Sequence, residues 1–482
     1  MKLRDSLFAA ALLLSGCTVG PNYHRPNAPA APAFKESAVV PPPDLPAGGW
    51  KQVTPNDSAL RANWWEIYQD PQLDKLEQQV AVSNQTLKAS YEQYMQARAA
   101  VQVARSQYYP TVQAGPSATR ERQSQNRPLY VPGSKTNYND LFLQGQVSWE
   151  PDLWGNVRRQ VESQRATAQA TAADLANVDL SLRSELAMDY FELRGLDTQQ
   201  RLLDNTVQQF EQYLELTKVR FAGGVATDSD VALAQTQLDQ TRAQAIDVGV
   251  ARAQFEHAIA TLAGVPASSF GLPPSPLDLQ LPQVPVGVPS QLLERRPDVA
   301  AAERRANVAN AEIGIAIAAY YPTINITGTG GFESKNAGTL IQGPSSLWSL
   351  GGSAVELLFD AGRRHALTEE ARDVYEQNVA SYRQTVLQAF QEVEDNLSGL
   401  RILNSESTAQ QRAVDSARRS LIISTNRYKG GVTTYLEVIT AQTTQLSNER
   451  TAADITTREF AASVQLVKAL GGGWDNTKLP NP

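Results

Sequence analysis

Arg220-Phe221-Ala222-Gly223-Gly224-Val225 recurs as Arg427-Tyr428-Lys429-Gly430-Gly431-Val432, 207 positions later. Upstream of each copy stands a second repeated mark, Tyr108-Tyr109-Pro110-Thr111, which returns 212 positions on as Tyr320-Tyr321-Pro322-Thr323. The chain is two copies of one unit. The five-residue drift between the two offsets falls after the tyrosine pairs, where composition turns to Gly, Ser, Thr and Pro, as an insertion in a loop would.

Proline divides the units. Of 27 prolines, eight fall between Pro21 and Pro46 and eight between Pro266 and Pro297, segments that cannot be regular helix. No proline occurs from Asp152 to Val265 or from Ser345 to Leu479, which predicts very long helices. In the first tract Leu175, Val178, Leu182, Leu186, Tyr190, Leu193 and Leu196 recur with a mean spacing of 3.5 residues, a coiled-coil period. A single helix from Asn156 to Phe221 would reach about 100 Å. Each unit therefore reads helix, β-like region, very long helix, Gly-Gly turn, long helix.

The β-like regions alternate. Leu141, Leu143, Gly145, Val147 and Trp149 share one face while Gln144, Gln146 and Ser148 share the other, and Ile324 and Ile326 alternate with Asn325 and Thr327. An apolar face opposite a polar face fits a strand between lipid and an aqueous lumen. Four strands are expected, at about 111–122, 139–150, 323–333 and 347–358, each long enough to cross a bilayer when tilted. Loops are expected at 123–138 and 334–346. Tyr108, Tyr109, Trp149, Trp154, Tyr320 and Tyr321 would form an aromatic girdle at the membrane boundary. Four strands cannot close a barrel, and an open edge in lipid leaves backbone groups unpaired. Two copies would give eight strands with a filled interior; three give twelve and room for a passage, so a trimer is expected.

Composition narrows the class further. The 482 residues carry 43 basic and 50 acidic side chains, a net charge of −7, which argues against nucleic acid as a partner. Beyond the N-terminus no apolar run approaches the roughly 18 residues of a spanning helix, so a helical membrane transporter is excluded. One cysteine excludes an intrachain disulfide framework and a cysteine-rich metal site. Lys2 and Arg4, an apolar run from Leu7 to Leu14, and small residues before Cys17 resemble a bacterial lipoprotein signal, which implies cleavage of residues 1–16 and acylation of Cys17. Thr18 after the cysteine favours the outer membrane by resemblance to sorting signals.

Further marks carry a wider resemblance. Trp64 and Trp65 with Asp70, Pro71, Leu73 and Leu76, then Leu293, Arg295, Arg296, Pro297, Asp298 and Glu303, and finally Ala469, Leu470, Gly471, Gly472, Gly473 and Trp474 stand in order along the mature chain. Together with the lipoprotein start they resemble the outer-membrane efflux lipoproteins of the OprM and NodT type, relatives of TolC. The resemblance implies an α+β membrane protein of TolC-like architecture. Its trimer would join a 12-stranded outer-membrane β-barrel, four strands per chain, to a long α-helical periplasmic barrel with an equatorial band. The implied organisation is signal peptide 1–16, an N-terminal anchor and equatorial segment 17–63, repeat 1 at 64–265, a linker 266–297, repeat 2 at 298–470 and a tail 471–482. It also implies a passive exit duct for drugs or other small toxic compounds. The duct's partners would be a periplasmic adaptor and an inner-membrane pump of the resistance–nodulation–division (RND) class, with outer-membrane lipid around it and no cofactor beyond the lipid on Cys17.

The sites follow from the same resemblance. Gly223, Gly224, Gly430 and Gly431 would turn the helices at a periplasmic tip that meets the adaptor, and Leu436 would form a constricting apolar ring. Glu437 and Asp230 match acidic positions near it, while Arg427 and Tyr428 match positions that hold the tip closed through interhelical hydrogen bonds and ion pairs. Thr440 stands where relatives often carry aspartate, a departure that bears on any second acidic ring.

No enzymatic reading competes. His24, His257 and His365 are isolated, without metal-ligand spacing. Gly328, Gly330 and Gly331 lack the helix and the Lys-Ser/Thr ending of a phosphate loop, and no pair of carboxylates is nominated as a catalytic dyad. The rival reading from another class is a lipid-anchored periplasmic coiled-coil scaffold without a pore.

Overall fold

The structure, a computed structural model, describes residues 18–29, 33–36, 63–284 and 294–481. Cys17, the signal segment 1–16 and Leu293 lie outside the described residues. A short 3-10 turn, Trp64–Tyr68, precedes helices α1 (Pro71–Ser83) and α2 (Gln85–Ser106) and strands β1 (Thr111–Arg122) and β2 (Asn137–Trp149). The long α3 (Asn156–Ala222) then turns into α4 (Asp228–Leu262). The second unit comprises α5 (Pro297–Ala318), β3 (Thr323–Ser334), β4 (Ser346–Val355), α6 (Arg363–Lys429) and α7 (Tyr435–Ala469).

The repeat is written in the lengths. α2 and α5 each have 22 residues, α3 and α6 each 67, and α4 and α7 each 35. β1 and β3 both have 12 residues, but β2 has 13 and β4 has 10, so the drift enters at the loops joining the paired strands and in β2 and β4. The last strand ends at Val355 rather than near 358. Its continuation turns toward α6, where Ala361 and Gly362 take left-handed angles and the Asp360 carboxylate accepts from the Gly362 and Arg364 amides.

Local chemistry starts several of the helices. Asp70 caps α1 by accepting from the Gln72 amide at 2.8 Å, with Pro71 at the first helical position where its missing donor costs nothing. Asn84 divides α1 from α2: its Oδ1 accepts from the Leu87 amide at 2.9 Å and its Nδ2 donates to the Leu262 carbonyl at 2.8 Å, tying the start of α2 to the end of α4. Asp152 accepts from the Val157 and Arg158 amides and pairs with the Arg158 guanidinium at 3.0 Å, the arrangement Asp360 repeats with Arg364 at 2.8 Å.

The core lies where the three scattered motifs meet. Trp64, Trp65, Tyr68, Tyr190, Phe191 and Phe460 are buried together, with Tyr68 and Phe191 ring centroids 4.9 Å apart and Phe191 and Phe460 4.8 Å apart. The Arg183 guanidinium lies 4.6 Å over the Trp65 ring. The tail packs into this belt. A Cβ on Gly471 would sit 2.0 Å from the Arg295 carbonyl oxygen, so only glycine fits there, and Gly472, against Leu180 and Trp64, has a φ of 56° that strains any other residue. Arg296, nearly buried, donates to Asp298, Glu392 and the Ala469 carbonyl, joining the second motif to the third.

The four strands form one antiparallel sheet in the order β1-β2-β3-β4. β2 against β3 joins the repeats, with Val147 opposite Gly328 and Trp149 opposite Ile326. Directly opposed residues share a face, and the register therefore sorts all four strands at once. Val112, Ala114 and Pro116 align with Val147, Gly145 and Leu143, these with Gly328, Gly330 and Phe332, and Gly328 and Gly330 with Leu350 and Trp348. The opposite face carries Gln113, Gln146, Thr329 and Ser349 in one row and Thr111, Ser148, Thr327 and Gly351 in the next, interrupted by Phe142 and Leu347. The Ser148 hydroxyl donates to Asn325 at 3.1 Å, and Thr329 and Ser349 hydroxyls meet at 2.6 Å. From the level of Val112 to that of Pro116 one face is apolar across the strands, while at the far end of β1 and β2 the same face turns polar with Arg120, Arg122, Asn137 and Asn139; the other face is mainly polar.

Candidate functional site

The strand–helix junctions gather the aromatic residues. The Trp149 indole donates to the Tyr108 carbonyl at 3.0 Å, and the Trp154 indole donates to the Pro322 carbonyl at 2.9 Å. Trp154 stacks on Tyr321 with centroids 4.9 Å apart, and Arg364 lies 5.2 Å over Tyr320. Tyr109 is exposed. Indoles whose N–H is satisfied while the ring remains accessible suit a boundary between lipid and water. The N-terminal segment begins at the same level: Thr18 abuts Gly155, and the Val19 amide donates to the Trp154 carbonyl at 3.1 Å. It then runs along the helices, with Tyr23 donating to the Glu303 carboxylate at 2.6 Å and Glu36 pairing with Arg401 at 2.8 Å.

At the opposite end of α3 and α6 lie the Gly-Gly turns. In each, the second glycine alone takes a positive φ, 72° at Gly224 and 75° at Gly431, while Gly223 and Gly430 have negative φ. The Val225 amide donates to the Arg220 carbonyl and the Gly224 amide to the Phe221 carbonyl. Val432 with Arg427 and Gly431 with Tyr428 repeat both bonds. This pattern closes a helix C-terminus and requires the left-handed residue.

The copies diverge within the six residues after the second glycine. Thr227 and Asp230 form a reciprocal capping box at the start of α4. Thr434 and Glu437 have the same spacing at the start of α7, yet Thr434 makes no side-chain cap hydrogen bond, and Glu437 instead pairs with Arg427 at 3.4 Å. Asp230 and Glu437 are thus held locally rather than brought together. Leu436 is exposed, and the Thr440 hydroxyl donates to the Leu436 carbonyl at 2.9 Å.

Tyr428 departs from the expected polar latch. Its side chain is buried and its hydroxyl has no hydrogen-bond partner among the described residues, because Phe210, Leu214, Leu238, Tyr435 and Val438 surround it with apolar surface. Its centroid lies 5.3 Å from that of Tyr435. The polar contacts across the hairpins here include Arg220, whose guanidinium lies 4.6 Å over the Tyr428 ring and donates to the Lys429 carbonyl at 3.3 Å, and Tyr213, whose hydroxyl meets that of Thr425 at 3.1 Å. Arg220 stood in the repeat motif, but nothing in the sequence distinguished it from Arg427.

The family Outer membrane efflux protein matches residues 76–265 and 288–472, which take in the four-stranded sheet and both helical hairpins. The chain belongs to this family. The efflux-family chain is 30% identical to the toluene efflux pump outer membrane protein TtgF of Pseudomonas putida, over 99% of its length and 98% of that protein. It is 30% identical to the outer membrane protein OprJ of Pseudomonas aeruginosa, over 98% and 96%. Among solved structures it resembles the outer-membrane channel OprN, with a TM-score of 0.85 and 29% identity over 95% of this chain and 100% of that one. The Campylobacter jejuni channel CmeC shares the fold with a TM-score of 0.88 at 23% identity, covering 96% of each chain.

The efflux-family chain is therefore an OprM-type outer-membrane factor, a channel of the outer membrane that extends into the periplasm and serves a tripartite efflux system, and not an enzyme. Among the described residues no helix is long and apolar enough to cross a membrane.

Proposed function

We propose that three copies of this chain close a 12-stranded barrel, and that the trimer is the exit duct for an RND-class inner-membrane pump joined through a periplasmic adaptor. The observation that carries the reading is the sheet: one face apolar across four strands, with β1 and β4 at its edges. In lipid those edge backbone groups require partners, and neighbouring copies supply them. In this reading Cys17 starts the mature chain and carries the lipid, and the residues after it, Thr18 against Gly155 and Val19 bonded to the Trp154 carbonyl, lie at the girdle. The turns at Gly223, Gly224, Gly430 and Gly431 meet the adaptor, and the exposed Leu436 with Glu437 behind it narrows the pore.

Purified protein in detergent should run as a trimer that dissociates on heating, and it should conduct ions in planar bilayers at discrete unitary levels. A monomeric, non-conducting protein that still binds membranes through its lipid would leave the pore-free scaffold as the surviving account. With a cleavable signal in place of its own, the Cys17→Ser variant should still yield outer-membrane trimer, because the barrel supplies most of the membrane burial.

A further inference from the structure

The face that carries Val112 and Val147 changes character toward the loop end of the sheet. Beyond Ala118 and Leu141 it presents Arg120 opposite Asn139 and Arg122 opposite Asn137. The acidic residues of that end have the other parity: Glu121 lies opposite Tyr138, Asp140 opposite Thr119 and Glu333 opposite Phe142, all on the polar face. There the Tyr138 phenol donates to the Glu121 carboxylate at 2.9 Å. The register thus sends the arginines to one side of the wall and the carboxylates to the other.

Arg120 and Arg122 are exposed, and among the described residues neither guanidinium has a hydrogen bond or an ion pair. The flanking loops offer no counterion, because the only charged residues at 123–136 are Arg127 and Lys135 and the only one at 335–345 is Lys335. A neighbouring copy's β4 laid along the β1 edge would offer none either, since Ser346–Val355 contains no acidic residue. Height then places the pair. Thr111 is paired with Ser148 beside the Trp149 girdle, and Arg120 and Arg122 lie nine and eleven residues further along β1. That is about 30 and 37 Å of strand, or roughly 23 and 28 Å of height at a tilt of about 40°, which brackets the roughly 25 Å apolar band of an outer-membrane barrel. The guanidiniums therefore emerge at the far headgroup level, where a lipid-facing arginine is tolerated.

We propose that Arg120 and Arg122, with Arg127 and Lys135 in the adjoining loop, bind the phosphates of the phosphorylated glycolipid that builds the outer leaflet of the outer membrane. The helices extend into the periplasm, so the loop end of the sheet is the outer one. Guanidinium forks match phosphate oxygens in pairs, and basic clusters at this level recognise lipid headgroups. The glycolipid's disaccharide carries two phosphates on one rigid unit, enough for several basic groups, whereas a phospholipid such as phosphatidylglycerol brings one. Its acyl chains would cover Val112, Leu143 and Val147 while its phosphates meet the arginines, so one molecule satisfies both parts of the face. The proposal rests on the barrel reading and adds to it a lipid partner of stated chemistry.

Detergent-solubilised, delipidated protein is titrated with bis-phosphorylated lipid A, with the same lipid stripped of phosphate, and with phosphatidylglycerol, and bound lipid is read by native mass spectrometry. Bis-phosphorylated lipid A should bind at least about tenfold more tightly than either of the others, and the Arg120→Gln/Arg122→Gln double variant should lose that advantage. Equal binding of phosphorylated and stripped lipid A, phosphatidylglycerol binding as tightly as lipid A, or an undiminished preference in the double variant would each overturn the proposal. Planar-bilayer conductance of the same preparation separates this outcome from the barrel reading: a conducting trimer with no phosphate preference overturns the lipid site alone, whereas a monomer that does not conduct overturns both. If the double variant fails to assemble, the three lipids on the wild-type protein decide the matter.

Discussion

The guanidinium of Arg220 lies 4.6 Å over the ring of Tyr428, and this contact is a direct link from the end of the first long helix to the end of the second. A cation over an aromatic face contributes about 0.5–2 kcal/mol depending on its exposure. Loss of that amount shifts a closed-to-open ratio by roughly 2- to 30-fold. Arg220→Ala should raise the open probability in planar bilayers by a factor in that range, with Arg220→Lys intermediate. Tyr428→Phe should change little, since the hydroxyl it removes has no partner among the described residues. A large effect of Tyr428→Phe with none from Arg220→Ala would show that the ring contact is not the latch.

Arg427 and Glu437 make a different kind of contact. Their side chains are 51% and 48% exposed, and an ion pair this accessible contributes about 0–1 kcal/mol. Arg427→Ala alone should therefore change open probability less than about fivefold, and the difference should shrink further in high salt. Glu437→Gln should lower the preference for cations without opening the tip, because a ring of carboxylates attracts cations. Reversal potentials across a potassium chloride gradient measure this, and an unchanged selectivity would put Glu437 away from the conducting path.

The sheet register makes a two-position test of the membrane wall. Val147 lies opposite Val112 and Gly328 on the apolar face, while Gln146 lies opposite Gln113 and Thr329 on the polar one. Val147→Arg should cost roughly 2–4 kcal/mol near the bilayer midplane, and Gln146→Arg far less. Thermal dissociation of the assembled protein reports both; equal tolerance would mean that the apolar face does not meet lipid.

A pH effect is expected from α3. Burial, then the charges of Glu185 and Glu192, push the Asp189 carboxyl up to about 6. The folded protein thus holds this proton more tightly than the unfolded chain, whose aspartates titrate near pH 4. Its contribution is fully present below about pH 4 and is lost as pH rises through 6. Asp189→Asn should therefore leave stability at pH 4 nearly unchanged and raise it at pH 7.5 by about 1–2 kcal/mol per chain, a figure reduced for partial exposure. Thermal melts at the two pH values measure the difference; equal shifts at both would remove the ionisation from the explanation.

Much of this architecture was legible in the sequence, because glycine pairs, tyrosine pairs and proline-free tracts mark local geometry. The alternation around Val147 identified strands, and the two offsets anticipated helices of matched length. The coiled-coil spacing in α3 was less informative. Leu175, Val178 and Leu182 on that stripe are only half-buried, while Leu180, Ser184, Ala187 and Phe191 off it are buried. α2, α4, α5 and α7 all pack against α3, so its buried face widens beyond a two-helix seam. The tip was legible in position but not in partnership. Arg220 and Arg427 are equivalent in the repeat, yet one reaches across to Tyr428 and the other pairs with Glu437. The packing of the hairpins decides that, and no spacing along the chain encodes it.

The equal 67-residue lengths of α3 and α6 bring the two Gly-Gly turns to the same depth, while the residues just past them differ in chemistry. A ring of three chains would present six level teeth of two alternating kinds, one ending in a capping box and the other in an exposed ion pair. Six identical copies of a partner could all reach such a rim, but they would be sorted into two environments, three grips of one strength and three of another. Uncoupling would then begin at the weaker three, so a docking ring built from a single gene product would still come apart in two stages.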